Sequence, residues 1–144
     1  NMQVIFLVRN IVKCYYSVEV IWMKSLKYLK TISNDTKLRL VSLLLENELC
    51  VCEMEEILNI RQANISKNLN SLKDAGMVDV RREKQRAFYF LADDFVSNTH
   101  LIDHIRDLKV NEPKLIQDHE MFMKHEKVKD QNVYVCNIFR NEAS

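Results

Sequence analysis

The sequence has very little of what breaks a helix: one glycine, Gly76, and one proline, Pro113, in 144 residues. So few breakers exclude a collagen-like chain, a low-complexity linker and a loop-rich scaffold, and they leave most of the chain free to form helix. A glycine-rich phosphate-binding loop is absent for the same reason. With 47% hydrophobic and 28% charged residues, we expect one compact, mainly helical domain.

Neither a disulfide framework nor a membrane segment is indicated. The four cysteines are scattered, and the two that are close, at positions 50 and 52, cannot bridge each other comfortably. The apolar stretch 2–22 is interrupted by Arg9, Lys13 and Glu19 and has no small-residue cleavage site, so we expect neither a signal peptide nor a membrane span. The expected location is the reducing cytoplasm, where spare cysteines more often bind metal or react than form bridges.

Charge is distributed unevenly along the chain although its net value is only +1. The formal charge is +5 over residues 1–45, −5 over 46–60, +4 over 61–92 and −3 over 93–144. A chain polarised in this way can present a basic face to a polyanion while it looks neutral overall. The two neighbouring cysteines lie in the acidic block, directly before the second basic block.

The spacing of apolar residues predicts several helices. A core helix follows the capping residues from Ser33, because apolar residues recur at helical spacing at positions 38, 41, 44, 45 and 49. A short helix over 53–60 should bury Met54, Ile57 and Leu58. Another helix, over 61–77, should bury its own apolar face of three residues, Ile65, Leu69 and Leu72. Gly76 is expected to adopt a left-handed conformation at the end of that helix.

After Gly76 the hydrophobic period changes to two. Val78 and Val80, then Phe88 and Phe90, alternate with polar residues on either side of a Lys-Gln-Arg turn, which predicts a β-hairpin. A helix should resume from Asp94 to about Val110, the proline should open another near residue 113, and residues 133–139 are expected to be strand or extended. Two helices joined by a tight turn and followed by a basic hairpin are the layout of a winged helix-turn-helix.

Four segments resemble the ArsR/SmtB family of metal-sensing transcriptional repressors: NDTKLRLVSLL, ELCVCE, NIRQANISKNLNSLKDAGMV and RREKQRAFYFL. The resemblance runs from about Met23 to Val110. It divides the chain into an N-terminal extension (1–22), a winged helix-turn-helix DNA-binding domain (23–110), and a C-terminal helix and tail (111–144). It implies no enzymatic activity. It implies a homodimer, paired through its outer helices, that binds double-stranded operator DNA when metal-free and is released when metal binds.

The DNA contacts follow from the chemistry of the second helix and the hairpin. Amide and hydroxyl groups on the outer face of the helix suit base edges and phosphates, and the basic hairpin residues suit phosphates, which gives an affinity that falls with salt. Where relatives often have histidine, this chain has Asn68, which is expected to change base preference. The candidate DNA-binding residues are Gln62, Ala63, Asn64, Ser66, Lys67, Asn70, Arg81, Arg82, Lys84 and Arg86.

Cys50 and Cys52 are the candidate ligands of the effector ion. Residues two apart in a regular helix differ by about 200° in direction, so the two thiols can share one ion only if the start of the helix is irregular. Two thiolates do not complete the three-sulfur site of arsenic(III) or antimony(III), or the four-sulfur site of cadmium or lead. Arsenic-responsive members of the family can have a third cysteine three residues after the second, and this chain has Glu55 there. Cys14 and Cys136 are therefore the further candidate donors.

The sequence favours arsenic(III) or antimony(III), since one extra thiolate completes that site, with cadmium, lead or zinc as the alternatives. No cofactor is expected to be needed for DNA binding itself. The zinc site that the family places on the helix after the wing is not supported, although His100, His104 and Asp107 share one helix face. A redox switch at the thiols is the other reading of the same motif. A thiol enzyme is disfavoured because the chain has no βαβ pattern and no Cys-x-x-Cys.

Overall fold

The computed structural model describes residues 1–130, except for the side chain of Tyr16. These residues confirm the predicted fold class, mainly α with a small hairpin wing. The predicted extended segment over residues 133–139 lies outside the described residues. In chain order the elements are α1 (Met2–Ile32), α2 (Asp35–Leu44), β1 (Leu49–Cys50), α3 (Val51–Leu58), α4 (Gln62–Asp74), β2 (Val78–Glu83), β3 (Arg86–Leu91), α5 (Asp93–Val96), α6 (Thr99–Asn111) and α7 (Pro113–Asp130).

Helix α2 is the centre of the core, as its apolar spacing predicted. The side chain of Asn34 caps it by accepting a hydrogen bond from the backbone N–H of Lys37 at 3.1 Å. The helix ends at Leu44, earlier than expected. Leu49, which was assigned to this helix by its spacing, is fully buried but belongs to strand β1.

Helices α3 and α4 form the predicted helix-turn-helix. The inner face of α3 is buried, and Ile65, Leu69 and Leu72 on α4 are completely buried. The turn between the helices contains Asn59 in the left-handed conformation (φ 52°, ψ 46°), which an asparagine tolerates better than most residues. Gly76 has φ +75° after α4, and this confirms the predicted left-handed position.

The hairpin pairs β2 with β3 in antiparallel register, from Val78 opposite Leu91 to Glu83 opposite Arg86. A two-residue turn connects the strands, and its first residue, Lys84, has φ 55°. Strand β1 was not predicted. It adds to the other edge of β3, so that the sheet order is β1-β3-β2 and Cys50 lies opposite Phe88.

Helix α1 continues through residue 22, where the sequence placed the end of an N-terminal extension. All its described side chains up to Lys24 are exposed. Its deepest contact with the core is Tyr28, 1% exposed, whose ring meets that of Phe95 edge to face with 5.1 Å between centroids. None of the helices within residues 1–130 has the length and apolarity that crossing a bilayer requires.

The predicted helix from Asp94 to Val110 is divided in the structure. It breaks between α5 and α6, where the side chain of Asn98 accepts a hydrogen bond from the N–H of Leu101. The proline opens α7 as predicted, and α7 packs against α2, α3 and α6.

A buried ion pair fixes α7 to α2. Arg39 Nε and Nη2 donate to the two oxygens of Asp118 at 2.7 and 2.8 Å, and both side chains are less than 10% exposed. Nη2 also donates to the carbonyl of Leu58 at 3.0 Å. Since Leu58 is the last residue of α3, the C-terminal helix is anchored beside the turn of the helix-turn-helix.

Candidate functional site

The outer face of α4 carries the predicted base-contacting residues. Because its inner face is held in the core, the remaining positions of the helix turn outward. Ala63, Asn64, Lys67 and Asn70 are exposed, while Gln62 and Ser66 are half-buried. At the start of the helix the N–H of Gln62 donates to Glu55 Oε1 at 3.3 Å, which ties the two helices of the motif together.

The side chain of Asn68 is hydrogen-bonded to Asn64, one turn earlier on the same helix. Its Nδ2 donates to the carbonyl oxygen of Asn64 at 2.9 Å and to the side-chain oxygen of Asn64 at 2.8 Å. The amide of Asn64 is therefore held with its oxygen occupied and its NH₂ group available as a donor. An orienting role for Asn68 was not visible in the sequence, which suggested only a different base preference.

The wing presents basic residues of two kinds. Arg82 and Lys84 are exposed, and Arg86 is half-buried. Arg81 is instead engaged within the protein: its Nε donates to Glu48 Oε2 at 2.7 Å, its Nη2 donates to Glu48 Oε1, and its Nη1 donates to Glu83 at 2.8 Å. Its guanidinium also lies 4.7 Å from the ring centroid of Phe88. The carboxylates of Glu48 and then Glu83 raise the pKa of Arg81. The structure thus joins this wing residue to the segment just before the thiols.

The two neighbouring thiols converge. Cys50 Sγ lies 2.9 Å from Cys52 Sγ, and both residues are buried, with the ring of Phe88 packed against them. They converge because Cys50 is not in the helix. It is the N-cap of α3 in an extended conformation (φ −85°, ψ 164°), so the opposite directions expected within a helix do not apply to it. The sequence required an irregular start of the helix for the two thiols to converge, and the N-cap position of Cys50 provides it.

A capping box holds Cys50 in that conformation. The N–H of Cys50 donates to Glu53 Oε2 at 2.8 Å, and the backbone N–H of Glu53 faces the Cys50 sulfur in return. Burial raises the pKa of the Cys50 thiol, and the charge of Glu53 raises it further. Cys50 and Cys14 are free thiols, and Cys52 is disulfide-bonded.

The other predicted donors do not join the pair within the described part of the chain. Cys14 is exposed on α1, and Cys136 lies outside the described residues. His100, His104 and Asp107 are exposed on α6. Over residues 1–130 there is no group of three or more histidine, cysteine or acidic side chains arranged to hold a metal ion. Of the predicted donors in the described residues, Cys50 and Cys52 are the two that the structure brings together.

Comparison with known proteins places these features among transcriptional regulators. Residues 34–80 match the family described as "Bacterial regulatory protein, arsR family". The biofilm growth-associated repressor of Agrobacterium fabrum is 44% identical over 46% of this chain and 56% of its own length. The cadmium resistance transcriptional regulatory protein CadC of Listeria innocua is 37% identical over 44% of this chain and 55% of its own. The chain thus spans little more than half the length of these two relatives.

Solved structures give fuller coverage. Reduced HlyU from Vibrio cholerae N16961 aligns with a TM-score of 0.56 and 30% identity, over 67% of this chain and 97% of that one. The homodimeric winged helix-turn-helix DNA-binding domain Mb0332 from Mycobacterium bovis aligns with a TM-score of 0.53 and 25% identity, over 62% of this chain and 84% of that one.

Proposed function

Because this chain belongs to the ArsR family of DNA-binding transcriptional regulators, which are not enzymes, we propose that it is a repressor that binds operator DNA as a homodimer and is released by a thiophilic ion at Cys50 and Cys52. The convergence of the two sulfurs, 2.9 Å apart at the start of α3, carries the proposal. The homodimer is supported by the homodimeric relative from Mycobacterium bovis.

On DNA, α4 is the recognition helix. Its exposed amides and Lys67 enter the major groove, where amide side chains pair with base edges and lysine contacts bases or phosphate. Arg82 and Lys84 at the tip of the wing contact phosphates, which position the protein without specifying sequence. Gln62, Ala63, Ser66, Asn70 and Arg86 complete the proposed surface, and Arg81 contributes to it through its pairing with Glu48.

The effector site consists of Cys50 and Cys52 together with a donor outside this pair. Soft ions prefer thiolates to oxygen ligands, and a bound ion would supply a fixed charge and a fixed spacing for the two sulfurs. A third thiolate, from Cys136 of the same chain or Cys14 of either chain, would complete a site for arsenic(III) or antimony(III). Four donors would suit cadmium, lead or zinc. The relationship to the cadmium resistance regulator keeps that alternative in the proposal.

Two connections couple these sulfurs to the DNA-binding surface. Cys50 is paired with Phe88 of the wing strand β3, and Cys52 lies in the first turn of α3, the helix that packs against α4. A constraint on the spacing of the sulfurs therefore acts on both the wing and the recognition helix. A dimer must fit two half-sites at once. A small change in this geometry in each protomer therefore lowers the affinity of the dimer for DNA more than it would for a single protomer.

A redox response is the second candidate, and one observation favours it. Cys52 is disulfide-bonded in the structure, so its sulfur is unable to bind an ion until it is reduced. Formation of that bond would constrain the same turn of α3. A structural neighbour, HlyU, is described in a reduced form.

Titration of the protein on DNA separates the two candidates. A duplex selected by the reduced protein from a random-sequence pool is labelled, and its anisotropy is followed anaerobically with arsenite, then with Cd²⁺, and finally with peroxide. Release by an ion, together with a thiolate-to-metal absorption band, supports the ion-responsive repressor. Release by peroxide alone supports the redox switch. If the protein stays bound in all three titrations, neither mechanism holds.

A further inference from the structure

Glu53 connects the thiol pair to the C-terminal helix. Its side chain is 1% exposed, with one oxygen, Oε2, accepting the N–H of Cys50 at 2.8 Å. The other oxygen, Oε1, lies 3.0 Å from Nζ of Lys129, in the last turn of α7. One buried carboxylate therefore links the cap of α3 to a residue at the far end of the described chain.

Lys129 is the basic partner of the buried Glu53 side chain. A carboxylate withdrawn from water is costly unless it is paired and hydrogen-bonded. Burial alone would lower the pKa of Lys129, but its hydrogen bond to Glu53 and the charges of Glu53 and Glu126 outweigh that effect and raise it. Without the ammonium group, Glu53 would lose one of its two buried partners and turn toward solvent, which weakens its bond to the N–H of Cys50.

The position of the Cys50 sulfur depends on this bond. Cys50 is kept outside α3 by two restraints, its pairing with Phe88 in the sheet and the hydrogen bond from its N–H to Glu53. If Cys50 adopted helical angles, its side chain would point away from that of Cys52. The restraints therefore prearrange two sulfurs that would otherwise have to be brought together by the ion.

We propose that Glu53 and Lys129 are positioning residues of the effector site, so that α7 holds the two sulfurs together before an ion arrives. This rests on the proposed function, because it assigns the part of the chain that sets the affinity of that site. The ion-binding motif is then not confined to the segment around the cysteines. It includes a helix whose anchor to the core, the pair of Arg39 and Asp118, lies at the other end of α3, beside Leu58.

The test uses the full chain, reduced, with Lys129→Met as the variant. Lys127→Met is the matched control because Lys127 is exposed on the same helix, and Lys129→Arg is the conservative rescue. Amide exchange of Cys50 is measured by NMR without any ion, with the buried amides of α4 as the reference for global stability. Binding of Cd²⁺ is measured through its thiolate absorption band. We expect Lys129→Met to lower both the protection of the Cys50 amide and the Cd²⁺ affinity by about ten-fold, the effect of losing one charge-assisted hydrogen bond.

The outcomes separate this proposal from the proposed function. Loss in Lys129→Met with recovery in Lys129→Arg and no change in Lys127→Met supports the positioning role. Unchanged protection of the Cys50 amide overturns it, whatever the ion does, and so does unchanged Cd²⁺ affinity in a protein that binds Cd²⁺. If the wild-type protein binds neither Cd²⁺ nor arsenite, release by an ion fails as the function. The exchange data then still decide whether Lys129 holds Cys50.

Discussion

Asp118 fastens the C-terminal helix to the core, and its replacement by alanine removes both oxygens that Arg39 contacts. Arg39 is 7% exposed and would keep only its bond to the carbonyl of Leu58. Breaking a buried pair from one side typically costs about 3–5 kcal/mol, because the remaining charge stays buried and unpaired. That is a large part of the roughly 5–15 kcal/mol by which a domain is stable.

The loss is measurable by urea denaturation at a fixed protein concentration, since stability of a dimer depends on concentration. With an m-value of about 2 kcal/mol per molar, a loss of about 4 kcal/mol moves the midpoint down by roughly 2 M. Glu120→Ala, at an exposed position of the same helix, is the control and should leave the midpoint unchanged.

A double variant tests the reasoning itself. Arg39→Met with Asp118→Leu replaces the pair by apolar groups and should recover most of the stability, because the penalty of the single variant is an unpaired charge and not a lost attraction. A loss of less than 1 kcal/mol in Asp118→Ala, or a double variant as unstable as the single one, would refute the assignment of this pair as a buried anchor of α7.

Three further predictions concern the proposed DNA-binding switch. Cys50→Ser and Cys52→Ser should each keep the DNA affinity and lose release by the ion in the anisotropy titration; failure of either variant to bind DNA would make the cysteines structural. Arg82→Ala should weaken binding to all sequences alike and reduce the slope of log affinity against log salt by about one, and an unchanged slope would place Arg82 away from the phosphates. Asn68→Ala should broaden the base preference at the position that faces Asn64, as measured by selection from a random duplex pool, because the amide of Asn64 loses its orientation; unaltered selection would argue against that role.

The sequence predicted the parts of the fold that repeat a pattern. The apolar faces of α3 and α4, the left-handed Gly76 and the hairpin all follow from local periodicity, and each is present. Strand β1 was missed because two residues are too few to show a period of two. The division between α5 and α6 was missed because the apolar spacing continues across it. The helix nevertheless restarts there, with the side chain of Asn98 capping the first turn of α6.

The site was predictable where it depends on residue type and not where it depends on distant partners. The motif of two thiols at the start of a helix was visible, and so was the need for an irregular cap. That Glu53 and Glu48 flank the thiols was equally visible. Their partners, Lys129 on α7 and Arg81 on the wing, were not, because a pairing across the fold leaves no local signal. The assignment of individual DNA contacts remains a prediction.

The pairing of Cys50 with Phe88 places the thiol pair and the wing in one sheet. Neighbours across a ladder share one register, and a shift of a single residue turns each side chain to the opposite face of the sheet. An insertion within β3 would consequently change which residue lies opposite Cys50, and a wing taken from another regulator would need the same register with β1. Under the proposed function, operator preference and effector response therefore cannot be exchanged independently of each other.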